Sequence, residues 1–168
     1  MRFVFNVPLA TTMQFEELYR ESLRLDLPKK QKFREAGAEF IYLTSNKTGE
    51  LISETYCIEV DRIVDLFNEE EIPPGVREWR GKNAVYCYSN TTLQKHQSKG
   101  FGKILKAYYL GYVTGKGFCF SIGHGRRNGS IQLNQSFGAE IIRAYANWSG
   151  TGEIYDFYFQ DLLKWKVV

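Results

Sequence analysis

The stretch His96-Gln97-Ser98-Lys99-Gly100-Phe101-Gly102-Lys103 decides how this chain is read. It follows Asn83 to Thr92, whose Val85, Tyr86, Cys87 and Tyr88 have the composition of a strand, and it opens a segment with apolar residues at helical spacing. A strand that turns through glycines into a helix presents unpaired main-chain N–H groups where the helix dipole also favours negative charge. That is a cradle for a diphosphate. Glycine is needed where the main chain must approach an anion closely or take a positive φ, and Gly100 and Gly102 alternate at the spacing this requires. Lys99 and Lys103 add Coulombic attraction. The plain alternative is a pair of glycines that only lets a strand bend into a helix.

Two nucleotide motifs fail here on spacing. A Walker-type loop needs a glycine five positions before Gly102, where Gln97 stands, and Ser or Thr after the lysine, where Ile104 stands. A dinucleotide fingerprint needs a third glycine, but Lys103, Ile104 and Leu105 follow Gly102.

Working outward, Phe101, Ile104, Leu105, Tyr108, Tyr109 and Tyr112 predict one buried helix face, closed by Gly115 and Gly117. Phe118 to Ile122 reads as a short strand, Asn128 to Phe137 as a short helix, and Ile141 to Ala146 and Glu153 to Phe159 as two strands. Upstream, Phe3 to Pro8 is a strand, and Thr11 or Thr12 caps a helix with Glu16 and Glu17 in its first turn. Glu39 to Thr44 and Leu51 to Val60 form a hairpin, and residues 61 to 82 make a helical excursion ended by Pro73-Pro74-Gly75. No repeat or linker divides the chain, so one domain over residues 1–168 is expected.

Gln97-Ser98-Lys99-Gly100-Phe101-Gly102 resembles the Gln/Arg-x-x-Gly-x-Gly/Ala motif of the GNAT superfamily of N-acetyltransferases, and the order of elements resembles that family over essentially the whole chain. The resemblance implies a mixed α/β fold: a twisted sheet of six to seven strands with splayed central strands, flanked by about four helices. It implies acetyl-CoA as cofactor, its pyrophosphate wrapped by Gln97, Ser98, Lys99, Gly100, Phe101, Gly102 and Lys103. The pantetheine arm would pair with Asn90, Thr91 and Thr92 as an added strand. Asn128 matches an asparagine that touches the cofactor in this family; a plain helix cap is the alternative.

Acyl transfer to an amine needs that amine neutral, and a lysine-type amine has a pKa of about 10.4. Members of the family often supply a glutamate base on the strand before the motif, whereas this strand has Tyr86, Tyr88, Ser89 and Asn90. The tyrosine that commonly protonates the leaving thiolate is replaced, counting back from Phe137-Gly138, by Asn134. His124 is therefore the leading catalytic candidate, since imidazole titrates near physiological pH; the alternative is an exposed loop histidine. Tyr88 and Tyr145 are further candidates for proton donation or acceptor orientation. Trp79, Arg80 and Pro73-Pro74-Gly75 are candidates for shaping the acceptor side.

The expected activity is an acetyl-CoA-dependent N-acetyltransferase acting on a primary amine, small or protein-borne, by direct attack in a ternary complex. The alternatives are a coenzyme-A-binding module that works through partner contacts and an acyltransferase with another donor. A formal charge of +3, from 22 basic and 19 acidic residues, argues against a nucleic-acid partner. No run approaches the ~18 apolar residues that cross a bilayer, so a soluble, cytoplasmic protein is expected. Cys57, Cys87 and Cys119 are read as buried free thiols, and with only His96 and His124 no metal site is expected. Ile154 to Phe159 is a candidate edge for a homodimer.

Overall fold

The computed structural model describes residues 1–7, 27–127, 129–148, 150 and 152–165. Its seven strands, β1 (Arg2–Phe5), β2 (Glu39–Thr44), β3 (Leu51–Glu59), β4 (Ala84–Thr92), β5 (Phe120–Arg126), β6 (Glu140–Ala146) and β7 (Ile154–Asp161), form one sheet in the order β1-β2-β3-β4-β5-β7-β6. Every neighbouring pair is antiparallel except β4 and β5. Parallel neighbours need a crossover, and α3 (Phe101–Gly115) supplies it. The other described helices are α1 (Leu27–Glu35), α2 (Val60–Leu66) and α4 (Ser130–Gln135). The helix expected to follow Thr11 or Thr12 lies outside the described residues.

Both faces of the sheet are covered, so central strands are apolar on alternate residues in both directions. On β4, Val85 and Cys87 join Leu105, Tyr109, Leu110 and Val113 of α3 in one core. Ala84 and Tyr86 face the opposite core with Phe33 of α1 and Ile63 of α2.

Several elements depart from the sequence expectation. The buried stripe of α3 is Leu105, Lys106, Tyr109, Leu110 and Val113, while Ile104 is 39% exposed. The helix is rotated because Tyr108 and Tyr112 reach the sheet edge, where Tyr108 stacks on Phe3 and Tyr112 meets Phe5 at 5.1 Å. The excursion at 61–82 keeps only α2 and two single turns, Glu69–Glu71 and Val76–Trp79. β5 does not stop at Ile122: β7 pairs with it residue by residue as far as Arg126↔Tyr155. Its Gly123 is a close-approach position, since a Cβ there would lie 2.7 Å from Tyr158 Oη and 2.9 Å from the Cys87 carbonyl oxygen. β7 lies between β5 and β6, so both its edges are filled and it cannot be the dimer edge expected for Ile154 to Phe159. Cys57 and Cys87 are buried, Cys119 is half-buried, and all three are free. Among the described residues no helix is long and apolar enough to cross a membrane.

Candidate functional site: the wedge between two diverging strands

Parallel pairing of β4 and β5 runs from Ala84↔Phe120 to Cys87↔Gly123 and then ends. Beyond that point β4 stays with β3 as far as Thr92↔Ser53, and β5 stays with β7. The strands open as a wedge, and among the described residues the β5-facing edge of β4 from Tyr88 to Thr92 has no strand partner. At the apex the β3–β4 register jumps from Cys57↔Cys87 to Tyr56↔Ser89, leaving Tyr88 as the extra residue of a β-bulge. Bulges re-aim side chains, and Tyr88 turns toward Phe33, Tyr56 and Tyr86.

The glycine turn closes the mouth of the wedge. His96 donates to Leu93 O, Gln97 to Gln94 O, and the next main-chain bond is Ile104 N–H to Gly100 O. Among the described residues the amides of Ser98 through Lys103 donate to no main-chain acceptor. Gly100, at φ 82° with open space around it, is the left-handed residue that starts α3, and Ser98 also takes a positive φ of 60°. Gly102 abuts the end of β4, where a Cβ would sit 3.4 Å from Thr92 Oγ1. Gln97 Nε2 donates to Thr92 O at 3.1 Å, tying the turn to the strand. Lys99 Nζ donates to Lys95 O at 2.8 Å. Phe101 packs edge-on against His96.

Among the described residues, the buried polar atoms without a partner include Tyr88 Oη, both side-chain amide atoms of Asn90, His124 Nε2 and Asn134 Oδ1. Orphaned polar groups cost free energy in a core, so a polar ligand that satisfies them is favoured. The hydroxyls of Thr91 and Thr92 are instead engaged by Ser89 Oγ at 2.8 Å and Ser53 Oγ at 2.7 Å, and their carbonyl oxygens accept from Ser53 Oγ and Gln97 Nε2. Asn134 lies on α4, 4% exposed, with Nδ2 donating to Ser130 O. Asn128 lies outside the described residues.

On the α1 and α2 side of the wedge the aromatic residues converge. Tyr86 Oη and His124 Nδ1 are 2.7 Å apart, and Tyr145, Trp148 and Phe157 ring the imidazole with centroids 5.6, 4.4 and 4.7 Å away. His124 is thus a strand residue in an aromatic nest, not a loop residue. Burial holds its pKa down to about 3, against a weaker opposite pull from the Pro74 backbone. The expectation that it titrates near neutral pH is therefore corrected. Burial likewise pushes the Tyr88 hydroxyl up, with a smaller push from Glu71. Tyr145 Oη accepts from Arg143, which also pairs with Glu78.

The structure brings His124, Tyr145 and Pro74 together and joins Tyr88 to them through Tyr86. Gly75 belongs to the same nest, since a Cβ on it would meet Phe157 and Tyr145 Oη. Trp79 is elsewhere, packed on Phe120 and Phe159, and Arg80 pairs with Asp65 at the surface. Tyr86, Trp148 and Phe157 were missed. Tyr86 carried a signal, being two residues from Tyr88 and so on its face of the strand; the other two depend on pairing with a later strand. Among the described residues no three His, Cys, Asp or Glu side chains gather as a metal site.

No family model matches the sequence, and no curated protein matches it. Solved structures do. A spermidine N-acetyltransferase chimera from Vibrio cholerae is similar with a TM-score of 0.71 at 12% identity, over 98% of this chain and 99% of that one. The phosphinothricin acetyltransferase of Sinorhizobium meliloti, solved with acetyl-CoA, gives 0.65 at 17% identity over 96% and 89%. The ribosomal-protein-alanine N-acetyltransferase of Brucella melitensis gives 0.66 at 13% over 94% and 99%. Through the seven-stranded sheet and its wedge, this chain has the fold of the GNAT superfamily of N-acetyltransferases.

Proposed function

We propose that residues 1–168 form one acyl-CoA-binding domain that transfers an acetyl group from acetyl-CoA to a primary amine. One observation carries the reading: a run of main-chain amides, Ser98 to Lys103, with no main-chain acceptor among the described residues, at the start of α3 and the mouth of the wedge. The residues present fit a coenzyme A thioester. The amides suit a diphosphate, the open edge of β4 at Asn90 to Thr92 suits an amide-bearing arm, and the orphaned Asn90 and Asn134 atoms need polar partners. When bound, the thioester supplies the activated acyl group.

The acceptor side is assigned to Tyr88, His124 and Tyr145. With Nδ1 engaged by Tyr86, Nε2 is the ring atom assigned to the acceptor, which competes for it with the Pro74 backbone. Because its imidazole stays neutral, His124 orients the amine by hydrogen bonding, and the aromatic walls favour the uncharged amine by desolvation. The cytoplasm is the proposed compartment. Structurally similar proteins act on acceptors as different as spermidine and ribosomal protein, so the acceptor is assigned only as an amine.

Thiol release from acetyl-CoA, measured against a panel of polyamines, amino acids, arylalkylamines and peptides, tests the reading. Turnover with at least one amine is expected. Tight acetyl-CoA binding with no turnover on any amine would favour the second reading, a coenzyme-A-binding module, for which Asn134 in the usual tyrosine position speaks.

A further inference from the structure

Cys57 and Cys87 stand directly opposite one another in the β3–β4 register and share one core beneath α3. Opposite residues of an antiparallel pair have Cα atoms about 4.5–5.5 Å apart. A disulfide spans roughly 4.4–6.8 Å, so the register already suits one. Both thiols are free, and neither is used by the proposed transfer reaction.

Two further features bear on them. A pocket of about 300 Å³ lies at the far end of α3 from the glycine turn, lined by Cys57 together with Glu39, Arg62, Tyr112 and Lys116. Cys57 lines this pocket although the residue is only 4% exposed. On the inner side is Lys106, fully buried, whose Nζ has no hydrogen-bond partner among the described residues. The rings of Tyr109 and Tyr158 flank that nitrogen at 4.9 and 5.5 Å, and both cysteines bear on its charge. An unpaired amine in a core is costly unless it has work there.

We infer that Cys57 and Cys87 are a cross-strand dithiol that a small two-electron oxidant, a peroxide, enters through this pocket to convert into a disulfide. Burial pushes the Cys57 thiol up, so a base is needed, and the same burial weakens the hold of Lys106 on its own proton. Lys106, once it has released its own proton and turned to Cys57, takes the Cys57 proton, and the sulfur attacks one peroxide oxygen. The O–O bond breaks, leaving a sulfenic acid on Cys57 and a hydroxide that recovers the proton as water. Cys87 sulfur then attacks Cys57 sulfur, the S–O bond breaks, and the hydroxyl departs with the Cys87 proton as a second water. Two thiols lose two electrons, and one hydrogen peroxide becomes two waters. Cys87 is the last residue of β4 paired with β5 and precedes the Tyr88 bulge, so the bond would pin the apex of the wedge.

The test treats the native full-length protein with hydrogen peroxide, blocks remaining thiols by alkylation and maps the peptides by mass spectrometry. A Cys57–Cys87 linkage is expected within single chains, with Cys119 still alkylated and full reversal by dithiothreitol. Lys106→Met, checked for native circular dichroism and melting, should slow its formation about tenfold or more. Cys119→Ser should leave it unchanged. Three alkylatable thiols after treatment, a linkage through Cys119, or a linkage that forms only in denaturant would overturn the inference. An unchanged rate in folded Lys106→Met would remove Lys106 from the chemistry. None of these outcomes depends on acetyl transfer.

Discussion

At His124, enclosure by Tyr86, Tyr145, Trp148 and Phe157 outweighs the pull of the Pro74 backbone, and the imidazole stays neutral. Its folded pKa of about 3 lies below an unfolded value of about 6.5, so between those limits the unfolded chain binds the proton more readily. The stability this residue contributes is fully present above pH 6.5 and is lost as pH falls toward 3, on the order of 5 kcal/mol in all. Urea unfolding from pH 7 to 4 should show that slope, and His124→Gln should flatten it; an equal slope in the variant would contradict the burial argument. The same neutrality predicts that any acetyl-transfer rate profile carries no His124 inflection between pH 5 and 8. Gly102→Glu belongs to this scale too. It places a carboxylate at the helix start the anion would occupy, so acetyl-CoA affinity by calorimetry should fall at least tenfold while the melting temperature stays within a few degrees.

Among the elements, α1 is held to β3 by Lys30 and Glu54, 3.0 Å apart and each 1% exposed. Removing one partner strands a buried charge, so Lys30→Met should cost about 3–5 kcal/mol in urea unfolding, and Lys30→Met with Glu54→Leu should recover much of it. A double variant no better than the single one would contradict the pairing. β5 illustrates why element boundaries were only partly legible. Gly123 and Gly125 read as a loop because glycine is rare inside strands, yet Gly123 is what lets Tyr158 and the Cys87 carbonyl approach. That need arises from β7, far along the chain, and nothing near Gly123 announces it. The α3 face was displaced for a like reason: Tyr108 and Tyr112 found partners on β1, and Lys106 took a place in the core that charge alone argued against.

For the whole molecule, the divergence of β4 and β5 turns a continuous sheet into one with a cleft, and the glycine turn stands at its mouth because α3 must cross between those two strands. The turn was legible in the sequence, since strand, glycines and helix are contiguous and their backbone consequence is local. The nest of Tyr86, His124, Tyr145, Trp148 and Phe157 was legible only in its separate members; four strands must pair in register to assemble it. If the wedge binds acetyl-CoA, ligand at about 100 times its dissociation constant should stabilise the fold by about 2.7 kcal/mol, visible as a higher melting temperature.

The most direct measurement is a titration of ¹⁵N-labelled protein with coenzyme A, followed by the amide resonances of Ser98 to Lys103. The account predicts that these amides move most, in the sense of gaining hydrogen bonds to an anion, and that Asn90 to Thr92 move with them. Saturation that leaves the turn amides in place would contradict it.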